Sequence, residues 1–550
     1  MRIKPIVYLS ASIYFLVILY LLTFSPDPHH DGILLSAGYM TQRSLVPHLD
    51  YVFIWGPVLP YILSIPLFIT KNLIALRFFG YICICTVAYL LYKLNAKSLS
   101  KRDSIFISAI WLISLPPITI LTTNPWPRSI NAWPNIYGFL FILISAYMLI
   151  HTLPNLNGVN SYLLHFIAGI FALLPVFIRF NFIFCLLALI FYKYWLSNSK
   201  KLFLTFTLPA FIIFSILLFN RSNRFVDAWF QQTFLALKGP QVSSGVPDFT
   251  FMATARSLLA IILLFSLYII FVVLMQNTNN FYKKKYKYVI VAFYILYVTI
   301  CILYNLEIIK SYPINKISLW FNRINTEFSL GYISVALFAL IPVTIINFRN
   351  NNLNKNTDPY LSLLALLSFA SLPLNHNMNV EYIWLNCIFL ISYSLLSINK
   401  IFKISFFNLL FPSFIFSTLM FIFGAINLSQ AQVYNFESVP LKYMHSVDNQ
   451  YGIDLDREMM LFENVPIGSK FQNMCNDWIY LVNDRNVIYS SKLLTLNENP
   501  IFGKNYNIKS GTWIFECNVS EKRLSELSNF KLYHIKKENG TISLIYKFVL

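Results

Sequence analysis

The topology of this chain turns on Val58-Leu59-Pro60-Tyr61-Ile62-Leu63-Ser64-Ile65-Pro66-Leu67-Phe68-Ile69-Thr70. The run is apolar but only about 13 residues long, whereas a helix crossing a bilayer needs about 20. Pro60 and Pro66 interrupt it. If it crossed, the basic loop holding Lys93, Lys97, Lys101 and Arg102 would fall on the outer face. If it lies on the outer surface, residues 72–92 form the second span and that loop is cytoplasmic, where Lys and Arg accumulate. We take the surface reading.

Upstream, Pro5 to Phe24 is the first span, and Arg2 and Lys4 before it place the N-terminus in the cytoplasm. No A-x-A cleavage site follows, so the run reads as a retained span. Residues 25–71 form the first outer loop. Downstream, spans three to seven are about 104–121, 136–152, 162–178, 182–196 and 202–219. A long outer loop covers 220–250. Spans eight to thirteen are about 253–275, 288–304, 331–348, 360–374, 382–398 and 405–428. The cytoplasmic loops carry Lys200 and Lys201, the cluster Lys283, Lys284, Lys285 and Lys287, then Arg349, Lys355, Lys400 and Lys403. The chain thus reads as a polytopic α-helical membrane protein of roughly thirteen spans, residues 1–428, with residues 429–550 outside.

Composition agrees. Of 550 residues 57% are hydrophobic and 12% charged, against about 25% charged in a soluble domain. The net charge of +19 sits mostly in short loops and reads as orientation signal, not as a nucleic-acid surface. Cys83, Cys85, Cys185, Cys301 and Cys387 lie in apolar runs and behave as small hydrophobes. Cys475 and Cys517 lie in the polar C-terminal region, and an oxidising compartment there predicts a disulfide between them. That region has short β-like runs at Trp478–Val482, Trp513–Phe515 and Ser543–Phe548, which suits a small α/β or mostly β domain. There is no phosphate-binding P-loop, no dinucleotide fingerprint and no His-Glu-x-x-His helix. Charges are nearly missing from mid-span positions, which argues against an ion-coupled pump.

The first outer loop holds His29-His30-Asp31-Gly32, then Val46-Pro47-His48-Leu49-Asp50, then Gly56-Pro57. A carboxylate at the mouth of a membrane helix is costly unless solvated or paired, so it is a functional candidate. Asp31-Gly32-Ile33-Leu34-Leu35-Ser36-Ala37, Val46-Pro47-His48-Leu49-Asp50 and Gly56-Pro57-Val58-Leu59-Pro60-Tyr61, with Ala168-Gly169-Ile170 and Arg179-Phe180-Asn181, resemble GT-C superfamily glycosyltransferases, in the bacterial branch that includes aminoarabinose transferases and is related to protein mannosyltransferases. The resemblance covers roughly the first 185 residues. It implies a multispan enzyme using a polyprenyl-phosphate-linked sugar, with surface helices in the first loop and an active-site acid matched by Asp31. The family often has two near-adjacent acids, whereas here Asp27 and Asp31 are separated by Pro28, His29 and His30.

Such transfer needs a base for the acceptor hydroxyl and cations for the leaving phosphate. Asp31 is the candidate base, its plainer alternative being a helix cap at the start of a surface helix from Gly32 to Gln42. Arg128 and Arg179 are the candidate phosphate ligands, since Arg suits bidentate phosphate contact; snorkelling to the interface is the alternative. Asp50, His376 and Glu381 are candidate sugar-binding residues, the last two in a polar turn with Asn375, Asn377 and Asn379. Asp50 could equally pair with Arg43. Arg221 and Arg224 read as solvated loop charges, and Asp27 as a turn residue. No cofactor is required; His29 and His30 beside Asp31 would hold a divalent metal if one were used.

The resulting expectation is an inverting glycosyltransferase of a bacterial inner membrane. It would move a sugar, by a single displacement, onto a cell-envelope glycan or glycolipid such as O-antigen or lipid A at the periplasmic face. Its partners would be the lipid-linked donor, that acceptor and membrane lipid. The alternatives are an O-antigen polymerase or a lipid-linked oligosaccharide flippase.

Overall fold

The computed structural model describes residues 30–42, 44–49, 53, 55–69, 73–113, 134–153, 158–196, 199–220, 223–238 and 359–371. It also describes single helical positions at 15–16, 389, 392 and 396, and the strand residues given below. Ten helices can be followed within these: α1 (His30–Gln42), α2 (Leu59–Leu67), α3 (Leu73–Asn95), α4 (Lys101–Ile113), α5 (Pro134–Tyr147), α6 (Val159–Leu173), α7 (Ile183–Leu196), α8 (Lys200–Phe219), α9 (Arg224–Lys238) and α10 (Pro359–Ala370).

The stretches Ala75–Asn95, Pro134–His151, Val159–Phe177 and Lys200–Phe219 are long and apolar enough to cross a bilayer, and α7 is a shorter apolar helix beside them. With the composition, this makes the chain a helical membrane protein. Exposure along α8 fits a lipid-facing surface: Leu204, Leu208, Phe211, Ile216, Leu218 and Phe219 all stand outward. Such a row would be a liability in water and is ordinary in hydrocarbon.

The segment on which topology turned is α2. Its nine residues rise about 13 Å, less than half of the roughly 30 Å of a hydrocarbon core. It packs against α1, where Gly38 lets the Leu63 carbonyl and Leu67 come close, and Gln42 donates to the Ser64 carbonyl at 3.2 Å. α1 stops because Ser44 turns left-handed, with φ of 62°. Ser44 N–H then bonds the Thr41 carbonyl and Leu45 N–H the Met40 carbonyl, which is the Schellman closure of a helix end. α1 begins at His30 rather than at Gly32, so Asp31 lies inside its first turn and is not its cap.

The other helix ends have local causes too. Ser100 and Asp103 cap α4 reciprocally: Asp103 N–H donates to Ser100 Oγ at 3.1 Å, and Ser100 Oγ–H to the Asp103 carboxylate at 2.7 Å. Ser199 accepts from Leu202 N–H at the start of α8. α5 runs into a π-turn, Met148–Thr152, and Lys97 donates to the Ile150 carbonyl there at 2.8 Å. α6 gives way at Pro175 to a 3-10 turn, Leu174–Phe177, so the expected span to residue 178 is α-helical only to Leu173. α6 lies tightly on α8, because at Gly169 a Cβ would overlap the Phe206 carbonyl. The expected outer loop 220–250 contains a helix, α9, that the apolar-run reading missed.

A buried polar junction links distant parts of the chain. Tyr360 on α10 donates to Asn95 Oδ1 at 2.9 Å, and Asn95 Nδ2 donates to Ser392 at 3.2 Å. Tyr360→Phe keeps the ring and leaves the Asn95 oxygen without that donor, a loss of about 1–3 kcal/mol. Thermal unfolding in detergent should show a lower midpoint; an unchanged one would mean water replaces the hydroxyl.

Toward the C-terminus, β1 (Gln432–Tyr434) pairs antiparallel with β2 (Met444–Ser446). A five-stranded mixed sheet follows, in the order β4 (Ile488–Tyr489), β3 (Lys470–Asn473), β5 (Trp513–Glu516), β7 (Thr541–Lys547), β6 (Lys531–Glu538). β3 runs parallel to β4 and β5, and β7 antiparallel to β5 and β6. β5 and β7 fall on two of the expected β-like runs. The third, Trp478–Val482, lies outside the described residues, as do the expected boundary at residue 428 and the spans from 253 to 348 and 405 to 428.

Candidate functional site

The break between α6 and α7 places a charge where a continuous helix could not. After the 3-10 turn, Arg179 adopts an extended conformation, φ −154° and ψ 120°. Its side chain is 6% exposed, and Nη1 donates to Asn135 Oδ1 at 2.7 Å. Asn135 follows Pro134 at the very start of α5 and is fully buried. A buried guanidinium in a membrane bundle is costly without such partners.

The same break receives the loop that leads from α1 into α2. Gly56 N–H donates to the Ile178 carbonyl at 2.8 Å, and Val58 N–H to the Phe177 carbonyl at 3.0 Å. The approach demands glycine for room: a Cβ at residue 56 would overlap the Phe177 carbonyl oxygen. Phe53 and Trp55 are buried beside it and meet edge to face at 5.4 Å. His48, buried and at φ 68°, stands between Phe53 and Phe225 of α9, while Trp229 of α9 packs on Phe177 at 5.4 Å. The loop, the break and α9 therefore pack together next to Arg179 in the chain.

The helix directions sort the charges. Phe79 near the start of α3 stacks on Tyr137 near the start of α5 at 6.0 Å. At the other end of these helices Lys97 reaches Ile150, and Lys193 meets His165 Nε2 at 2.8 Å. The two buried arginines, Arg77 and Arg179, thus share one end of the bundle with α2 and the first loop, and Lys97 and Lys193 mark the opposite end. Arg77 was not a candidate on sequence grounds. Its 1% exposure within an apolar spanning helix makes it one; a lone arginine in an otherwise uncharged run was the available signal.

Of the residues singled out from sequence, Arg179 sits at this junction, and His30 and Asp31 occupy the first turn of α1. Arg224 is exposed at the start of α9. Asp27, His29, Arg43, Asp50, Arg128, Arg221, His376, Glu381, Cys475 and Cys517 lie outside the described residues. Among the described residues, no group of three His, Cys, Asp or Glu side chains could hold a metal ion.

No family model matches the chain, and no curated protein matches it. One solved structure, that of ArnT from Cupriavidus metallidurans in the apo state, is similar over 99% of this chain and 98% of its own. The two are 9% identical, with a TM-score of 0.40.

Proposed function

We propose that this protein is a membrane glycosyltransferase that takes its sugar from a polyprenyl-phosphate donor. The observation that carries the reading is the backbone pairing of Gly56 and Val58 with Phe177 and Ile178. It draws the stretch between α1 and α2 to the break that carries the buried Arg179, and Asp31 stands in the first turn of α1. An acid for the acceptor hydroxyl and a cation for the leaving phosphate are the two charges such a transfer needs. The end of the bundle is also where a lipid tail can stay in hydrocarbon while its phosphate meets water.

In this reading Asp31 removes the acceptor proton as the acceptor oxygen attacks the anomeric carbon. The bond to phosphate breaks on the opposite face, and the configuration inverts. Arg179, with Arg128, stabilises the departing polyprenyl phosphate, while Asp50, His376 and Glu381 bind sugar. The site faces the periplasm of a bacterial inner membrane, and the acceptor is a cell-envelope glycan or glycolipid such as O-antigen or lipid A. Purified protein in lipid nanodiscs should move radiolabelled sugar from a polyprenyl-phosphate donor to extracted envelope glycolipid. Chain extension of a preformed lipid-linked repeat without such a donor would instead make it a polymerase, and movement of lipid-linked oligosaccharide between leaflets a flippase.

We also propose that residues 429–550 lie outside the membrane in an oxidising compartment, where Cys475 and Cys517 form a disulfide. Peptide mapping without reductant should recover the linked pair; two free thiols would place the region in a reducing compartment.

A further inference from the structure

The start of α5 carries more hydrogen-bond donors than the protein's described residues use. Asn135 is fully buried, and its carboxamide oxygen is taken by Arg179. Its Nδ2, with two N–H groups, has no partner among the described residues. A buried donor left unmade costs about 1–3 kcal/mol, so such a group calls for an acceptor. The first turn of a helix also presents backbone N–H groups without intrahelical partners, and its dipole favours negative charge. Pro134 contributes no N–H, which leaves those of Asn135 and Ile136 within the helix. A guanidinium, a carboxamide and a helix N-terminus therefore meet at one point.

We infer that Asn135 and Arg179 together form a phosphate site at the N-terminus of α5. On the function proposed above, the group held there is the phosphate of the polyprenyl donor. Asn135 is then a binding residue in its own right: it accepts from Arg179 through one atom and donates to the phosphate through the other. A purely positioning Asn135 would need only its oxygen.

Asn135→Asp separates the two roles, because aspartate keeps an acceptor for Arg179 but loses the amide donors and adds a charge that repels phosphate. Undecaprenyl phosphate and inorganic pyrophosphate serve as probes, titrated against wild type, Asn135→Asp and Arg179→Ala in nanodiscs, with thermal unfolding as the control for folding. The expected result is an unfolding midpoint for Asn135→Asp no lower than wild type, with binding of undecaprenyl phosphate weakened at least tenfold. Wild-type affinity in Asn135→Asp would overturn the proposal and leave the glycosyltransferase reading standing. Pyrophosphate binding lost in both variants, with no binding of undecaprenyl phosphate, would uphold the anion site and remove the lipid donor. Wild type that binds neither probe would overturn the site. Should Asn135→Asp fail to fold, Asn135→Ser applies the same test: it keeps an acceptor and one donor, and weakens binding less than Asn135→Ala.

Discussion

On the function proposed above, Asp31→Asn should abolish sugar transfer and leave the protein folded. The two side chains are nearly the same shape, and only the carboxylate can take a proton from an acceptor hydroxyl. Loss of a positioned general base costs on the order of 10²–10⁴-fold in rate. The structural penalty is small by comparison. Asp31 lies in the first turn of α1, where a negative charge gains about 0.3–1 kcal/mol from the helix dipole. The change should appear in kcat with donor affinity retained, because the acid acts on the acceptor. Radiolabel transfer and a detergent melting curve, run side by side, check both halves. Normal turnover would remove Asp31 from the chemistry and return it to a structural role in α1.

Gly56→Val should cost both stability and activity, for a reason unrelated to proton transfer. The obstacle to a side chain at residue 56 is the Phe177 carbonyl, which is backbone and cannot rotate aside. The loop must lift, and lifting it breaks the bonds from Gly56 to Ile178 and from Val58 to Phe177. It also loosens the cover that Phe53 and Trp55 give one another. Overpacking of this kind costs about 1–3 kcal/mol, and two lost hydrogen bonds add about 0.5–1.5 kcal/mol each. The unfolding midpoint should fall by several degrees and transfer should drop at least tenfold, even well below the new midpoint. Wild-type melting and turnover in Gly56→Val would mean that the loop does not need the break, and the proposed active-site assembly would fail with it.

The helical membrane character was legible because it rests on counting apolar residues, and long spans leave little room for another reading. The shortness of α2 was legible for the same reason: 13 apolar residues with two prolines cannot do the work of 20. Arg179 was legible as a charge at a helix end. Its partner was not, because Asn135 is neutral and nothing in Trp133-Pro134-Asn135 says that a residue 44 positions later will reach it. Helix α9 escaped because Asp227, Gln231 and Gln232 interrupt its apolar residues, and a search for unbroken runs passes over a helix that is apolar on one face only. The pairing of Gly56 with Ile178 was invisible in principle, since backbone groups have no sequence signature. The Gly-Pro pair marked the place and not the partner.

That pairing sets an order of events during biosynthesis. The amides of Gly56 and Val58 emerge from the ribosome more than a hundred residues ahead of the carbonyls they will bond. Water or lipid headgroups must satisfy them until the polypeptide from α5 through the Arg179 bend has been threaded in. The junction around Gly56 therefore cannot close over the nascent N-terminal third by itself. A ribosome stalled before residue 177 should leave residues 53–58 open to protease, and one stalled after α7 should not.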